Sequence, residues 1–92
     1  MEEAAKLLRA FGNPLRLSLL MELRDGERCV HELVSALGAA QPRVSQHLKV
    51  LTGAGVLHGR RRGREMAYSI ADEHMTHVAL DALAHVQERS RA

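Results

Sequence analysis

The apolar positions along the chain change period several times, and each change marks a new element. From Glu2 to Phe11, Ala5, Leu8 and Phe11 recur at helical spacing, and Gly12 supplies a stop. Asn13 then offers an N-cap and Pro14 a first helical residue, ahead of a stripe of Leu15, Leu19, Leu20 and Leu23 that runs out at Asp25-Gly26. The stretch from Cys29 to Leu37 predicts a short helix with Val30, Leu33, Val34 and Leu37 inward, ended by Gly38. After the break Gly38-Ala39-Ala40, a helix over about residues 42–53 places Val44, Leu48 and Leu51 on one face. Two short helices across a tight, glycine-containing turn form a helix-turn-helix.

Beyond Gly53 and Gly55 the period falls to two. Val56 to Arg61, a turn near Arg62-Gly63 and then Arg64 to Ile70 predict a β-hairpin over about residues 56–70 with an arginine-loaded tip. The final segment, about residues 72–89, is helical again, with Val78, Ala79, Ala82, Leu83 and Val86 on a broad apolar face. No linker, repeat or low-complexity stretch interrupts residues 1–92. The expected fold is therefore one domain, mainly α with a small β-hairpin: a winged helix-turn-helix.

Charge says what the hairpin and the second helix of the motif would face. The chain is only +2 overall, yet no acidic residue stands between Glu32 and Glu65, while Arg43, Lys49, Arg60, Arg61, Arg62 and Arg64 do. Such asymmetry suits a surface that neutralises nucleic-acid phosphates. Phe11 and Tyr68 are the only aromatics, too few to build the stacking platforms that read single strands, so duplex DNA is the expected partner. On the second helix, Gln41, Arg43, Ser45, Gln46, His47 and Lys49 lie off the apolar stripe. Glutamine can pair with adenine, and arginine or lysine can reach guanine or phosphate. The wing arginines would supply affinity more than specificity, because phosphate contacts position and base contacts specify.

A domain of 92 residues often gains stability by pairing, and the apolar face of the last helix is the expected homodimer seam, with the first helix beside it. The N-terminus carries no apolar run of membrane length, and the single Cys29 cannot form an internal disulfide, so a cytoplasmic protein with no membrane role is expected.

The last helix also concentrates potential metal ligands. His74 and His85 are eleven residues apart, close to three full turns, so they share a face yet stand about 16 Å apart along the axis. One helix cannot close a site with both. Two antiparallel copies across a two-fold axis would instead bring Asp72 and His74 of one opposite His85 and Glu88 of the other, forming two four-ligand sites per dimer. The plainer alternative is that Asp72 caps the helix and the rest are surface residues. His77 and Asp81 lie close enough to extend coordination or to orient a ligand. The chain offers no nucleophile, phosphate-binding loop or separate cleft, which argues against a hydrolase or any other enzyme.

From Phe11 to Glu88 the chain resembles the ArsR/SmtB family of bacterial winged-helix repressors. The resemblance is carried by Gly12-Asn13-Pro14-Leu15-Arg16, by Val44-Ser45-Gln46-His47-Leu48 and by the Gly63-Arg64 wing. Asp72, His74, His85 and Glu88 also match the spacing of the last-helix metal site in the zinc-sensing branch. The resemblance implies a homodimer that binds its operator when metal-free and releases it when metal fills the inter-subunit sites. Two carboxylates and two imidazoles suit Zn(II), with Co(II) or Ni(II) as alternatives. The alternative function is a regulator of the same fold that answers to Ni(II) or Co(II), to no metal, or only with a partner protein. The chain departs from the family where some members carry a Cys-x-Cys pair in the third helix: Cys29 and His31 stand there, followed by Glu32. Cys29 is open to three readings, a core residue, a metal ligand or a redox sensor.

Overall fold

In a computed structural model, residues 1–91 are described; they run α1 (Glu2–Phe11), α2 (Pro14–Leu23), β1 (Arg28–Cys29), α3 (Val30–Leu37), α4 (Gln41–Gly53), β2 (Leu57–Arg62), β3 (Glu65–Ile70) and α5 (Glu73–Arg91). Most boundaries fall where the local chemistry places them. Asn13 Oδ1 accepts hydrogen bonds from the amides of Leu15 at 2.9 Å and Arg16 at 3.1 Å, satisfying two donors that open α2, while Pro14 has no amide to satisfy. Gly38 closes α3 at φ 63°, a left-handed conformation that costs glycine nothing, and its amide donates to the Val34 carbonyl. That cap lets the chain turn within Gly38–Ala40 into α4. Asp72 starts α5: its Oδ1 accepts from the Met75 amide at 2.9 Å.

Helices α2, α3 and α4 meet over Leu19, Leu20, Leu23, Leu33, Leu48 and Leu51, each exposed by 1% or less. Val56 and Leu57, buried at the start of the hairpin, close this core and tie the wing's root to it. The long side of α4 opposite Val44, Leu48 and Leu51 is thereby left to solvent.

One expectation fails here. Cys29 does not begin a helix. It ends β1 in an extended conformation, φ −79° and ψ 159°, and the helix starts at Val30. The sheet is consequently three-stranded, in the order β1-β3-β2, rather than a bare hairpin. Cys29 pairs with Ala67 and Arg28 with Tyr68, whereas the hairpin runs from Leu57 opposite Ile70 to Arg62 opposite Glu65. Glu32 explains the abrupt change of backbone: its Oε1 accepts from the Cys29 amide at 2.9 Å. That bond holds the Glu32 carboxyl below the usual carboxylate range.

Replacing Leu20, fully buried, by Ala should cost about 2–5 kcal/mol, and Asn13→Ala about 0.5–2 kcal/mol, in denaturant unfolding at fixed protein concentration. A Leu20→Ala protein as stable as the parent would mean that the leucine cluster is not the core.

Candidate nucleic-acid interface and metal ligands

The solvent side of α4 carries Gln41, Arg43, Gln46 and Lys49 exposed, with Ser45 and His47 half-buried at its flanks. Residues 43, 46 and 49–50 recur at helical spacing and so share one face, on which Val50 is also 40% exposed. A convex helix presenting one amide and two cations has the shape and chemistry to enter a groove of duplex DNA.

His47 is held from outside its own helix. Arg16 of α2 donates from Nε to the Ala10 carbonyl at 2.7 Å and from Nη2 to the Arg9 carbonyl at 3.1 Å, while its Nη1 lies 3.0 Å from His47 Nδ1. Since a guanidinium can only donate, His47 must present a bare Nδ1 there. Desolvation lowers the His47 pKa below its ordinary value, and the charges of Arg16 and Arg43 add to the effect. One arginine thus joins the end of α1, the start of α2 and helix α4.

Arg16 also lines a groove of about 330 Å³ between α1 and α4, together with Lys6, Arg9 and Lys49. Lys6 and Arg9 do not stand out in the sequence, because they lie outside the acid-free segment and beside Glu2 and Glu3. Only the packing of α1 against α4 brings them to Lys49.

The wing arginines are not equivalent. Arg60 donates from Nη2 to Glu27 Oε1 at 2.8 Å and from Nε to Glu27 Oε2, and Arg62 Nη1 is 3.8 Å from Glu27. The Arg60 hydrogen bond holds the Glu27 carboxyl below its ordinary value. Arg61 and Arg64 are exposed and have no side-chain partner among the described residues. These two are the cations most available to phosphate.

On α5, His74, His77, Asp81, His85 and Glu88 are exposed and Asp72 is half-buried. Within one chain Asp72 with His74 and His85 with Glu88 stand at opposite ends of the helix. His77 turns aside, lining a cavity of about 290 Å³ with Arg24, Asp25 and Glu73. Beside the histidine face, Met75, Val78, Ala79, Ala82, Leu83 and Val86 of α5 line an apolar groove of about 440 Å³ with Leu8, Phe11 and Leu17. Val78 is 43%, Val86 56% and Leu8 58% exposed along it.

One further group of potential ligands comes together inside the chain. Cys29 is buried, and its sulfur lies within 4.8 Å of ligand atoms of His31 and Glu65, which likewise lie within 4.8 Å of each other. Glu65 is the member that sequence spacing missed, 34 positions from His31 and supplied by β3.

Residues 13–58 match the family described as bacterial regulatory protein, arsR family. Along 88 residues the chain is 52% identical to the HTH-type transcriptional repressor SmtB of Mycobacterium tuberculosis H37Rv, covering 96% of this chain and 65% of that protein. The HTH-type transcriptional regulator NmtR of the same organism is 37% identical over 83 residues, covering 90% of this chain and 69% of its own length. The chain thus spans about two thirds of the length of these relatives. Among solved structures, the homodimeric winged helix-turn-helix DNA-binding domain of a Mycobacterium bovis protein superposes with a TM-score of 0.83 at 29% identity, covering 95% of this chain and 81% of that one.

His47 yields the prediction for this surface. Its folded-state pKa is depressed, first by desolvation and then by the charges of Arg16 and Arg43, so neutral His47 favours the folded state above the ordinary histidine value of 6.5 and that contribution is lost as pH falls through the lower folded value. An NMR titration should place the His47 midpoint below 6.5, and Arg16→Ala should move it upward. A midpoint unmoved by that substitution would leave the contact without weight in solution.

Proposed function

The chain belongs to the ArsR family of bacterial regulatory proteins, and on that premise we propose that it is a metal-responsive transcriptional repressor, metal-free and DNA-bound as a homodimer, released from its operator by Zn(II). Membership makes it a transcription regulator rather than an enzyme. None of its described helices is long and apolar enough to cross a membrane.

The observation that carries the reading is the state of α5. An uncovered apolar groove runs along it, directly beside two pairs of nitrogen and oxygen donors that a single chain holds too far apart to use together. A second copy packed antiparallel satisfies both needs at once: apolar surface leaves water, and each Asp72–His74 pair meets a His85–Glu88 pair. The donor set fits Zn(II). Asp72 Oδ1 is committed to the Met75 amide, which leaves its second oxygen as the ligand and fixes the carboxylate's direction. Bound between subunits, the ion would supply a cross-link and charge neutralisation.

DNA binding rests on the other side of the molecule. Gln46 and Arg43 are assigned to base edges, and Gln41, Ser45 and Lys49 to the groove margin. Arg61 and Arg64 are assigned to phosphate, with Arg62 and Arg60 behind them. His47, fixed by Arg16, offers its Nε2 to the same surface. The two α4 helices of a dimer must sit about one helical turn of DNA apart, so a cross-link that changes the angle between subunits weakens binding. By linkage, operator DNA weakens zinc binding to the same degree, typically by about 1–3 kcal/mol.

In fluorescence anisotropy, Gln46→Ala should lower discrimination at one base pair by about 1–3 kcal/mol, while Arg61→Ala or Arg64→Ala should weaken all duplexes alike and flatten the salt dependence. Arg60→Ala should cost less, because Glu27 already neutralises it. Equal losses on specific and random DNA for Gln46→Ala would move that residue to the backbone.

Zinc should dissociate the wild-type operator complex. His85→Ala should keep metal-free operator binding and abolish release, and metal affinity should fall with falling pH, because protons compete with the metal for the imidazole ligands. Undiminished zinc-driven release from the His85→Ala protein would end the last-helix reading.

A further inference from the structure

We propose a second, intra-chain metal site formed by Cys29, His31 and Glu65 at the root of the wing, suited to a thiolate-binding divalent cation such as Zn(II). It lies apart from the last helix. It also differs from the Cys-x-Cys pair that some members of the family carry in the third helix, since its third ligand comes from the hairpin.

Three elements converge there. Cys29 ends β1, His31 sits in the first turn of α3, and Glu65 opens β3. Pairing of Cys29 with Ala67 fixes the sulfur beside the start of β3, and the capping bond from Glu32 sets the direction in which α3 departs with His31. Glu65 already spans the gap: its Oε1 accepts from the His31 amide at 3.3 Å and its Oε2 lies 2.5 Å from His31 Nδ1. A metal ion would take the place of the proton shared in that last contact.

The distances permit it. Tetrahedral Zn(II), with bonds of about 2.0–2.3 Å, holds its ligand atoms roughly 3.3–3.8 Å apart. The ligand atoms of Cys29, His31 and Glu65 all lie within 4.8 Å of one another, and the 2.5 Å contact between His31 and Glu65 must open for an ion to enter. His31 and Glu65 have side chains 68% and 38% exposed, so they are free to rotate toward the buried sulfur, and the open side admits the ion. A thiolate and a carboxylate together offset a divalent charge, and a water completes four ligands.

Occupancy would bear on the wing. Arg62 Nη1 points at Cys29 Sγ from 3.9 Å and lies 3.8 Å from Glu27 Oε1. A cation on that sulfur displaces the guanidinium, so metal at the wing root and an arginine of the DNA-facing hairpin share one contact.

Cobalt titration under reducing, anaerobic conditions tests the site, because a cysteine thiolate bound to Co(II) adds near-ultraviolet charge-transfer absorption that a site of imidazoles and carboxylates lacks. The band should saturate at one Co(II) per chain and disappear in Cys29→Ser. It should need about tenfold or more Co(II) in Glu65→Gln and in His31→Gln, both of which leave the core untouched. His85→Ala should leave it unchanged, so failure of the last-helix site and failure of this one are told apart. Absence of the band in wild-type protein would overturn the proposal. So would a band that ignores both Glu65→Gln and His31→Gln, since the cysteine would then bind metal with other partners.

Discussion

Helix α5 buries only Thr76 and Ala79 against its own chain, although it runs for 19 residues. Most of a helix's stability in a folded protein comes from burying one face, and this helix has an apolar face with nothing over it. Leu8 on α1 and Val78 and Val86 on α5 remain exposed along the same groove. In the proposed dimer a second copy would resolve that deficit, and the position of the histidines beside the groove would make the same contact the place where the proposed metal ligands become complete. Dimerisation and metal binding are in this view one structural event.

How such an event reaches DNA depends on rigid connections beyond the shared core. Arg16 is the most direct, with one guanidinium bonded to two carbonyls of α1 and to His47 on α4. The groove-lining helix α1 and helix α4, the one proposed to face DNA, are therefore clamped to one another and would move as a body under the proposed change of subunit angle. The wing is held separately, through Val56 and Leu57 in the core and through the Glu27 contacts of Arg60 and Arg62. Charge repulsion among its four arginines is relieved on one side only, which leaves Arg61 and Arg64 facing outward.

Much of this is legible in the sequence because it is local. Periodicity, Asn13-Pro14, Gly38 and Asp72 place α1, α2, α4 and α5 to within a residue or two, and the arginine-rich tip marks the wing. The strand β1 escapes, since two residues carry no period, and the apolar run after Cys29 extends the helical pattern back over it. The contacts that differentiate the site residues span the fold: Arg16 to His47 is 31 positions apart, Glu27 to Arg60 is 33 and His31 to Glu65 is 34. No spacing rule reaches that far. The last-helix ligand set stands on spacing and on family resemblance, because its geometry requires two chains.

Subunit complementation addresses the central claim most directly. In a Cys29→Ser background, His74→Ala and His85→Ala proteins should each lack tight zinc binding at the last helix. In a mixed dimer, however, one site draws Asp72 and His74 from the second protein and His85 and Glu88 from the first, and is intact. Zinc titration of the mixed and re-equilibrated proteins should recover one high-affinity site per heterodimer. No recovery on mixing, or full zinc binding by either protein alone, would contradict a site shared between two copies of α5.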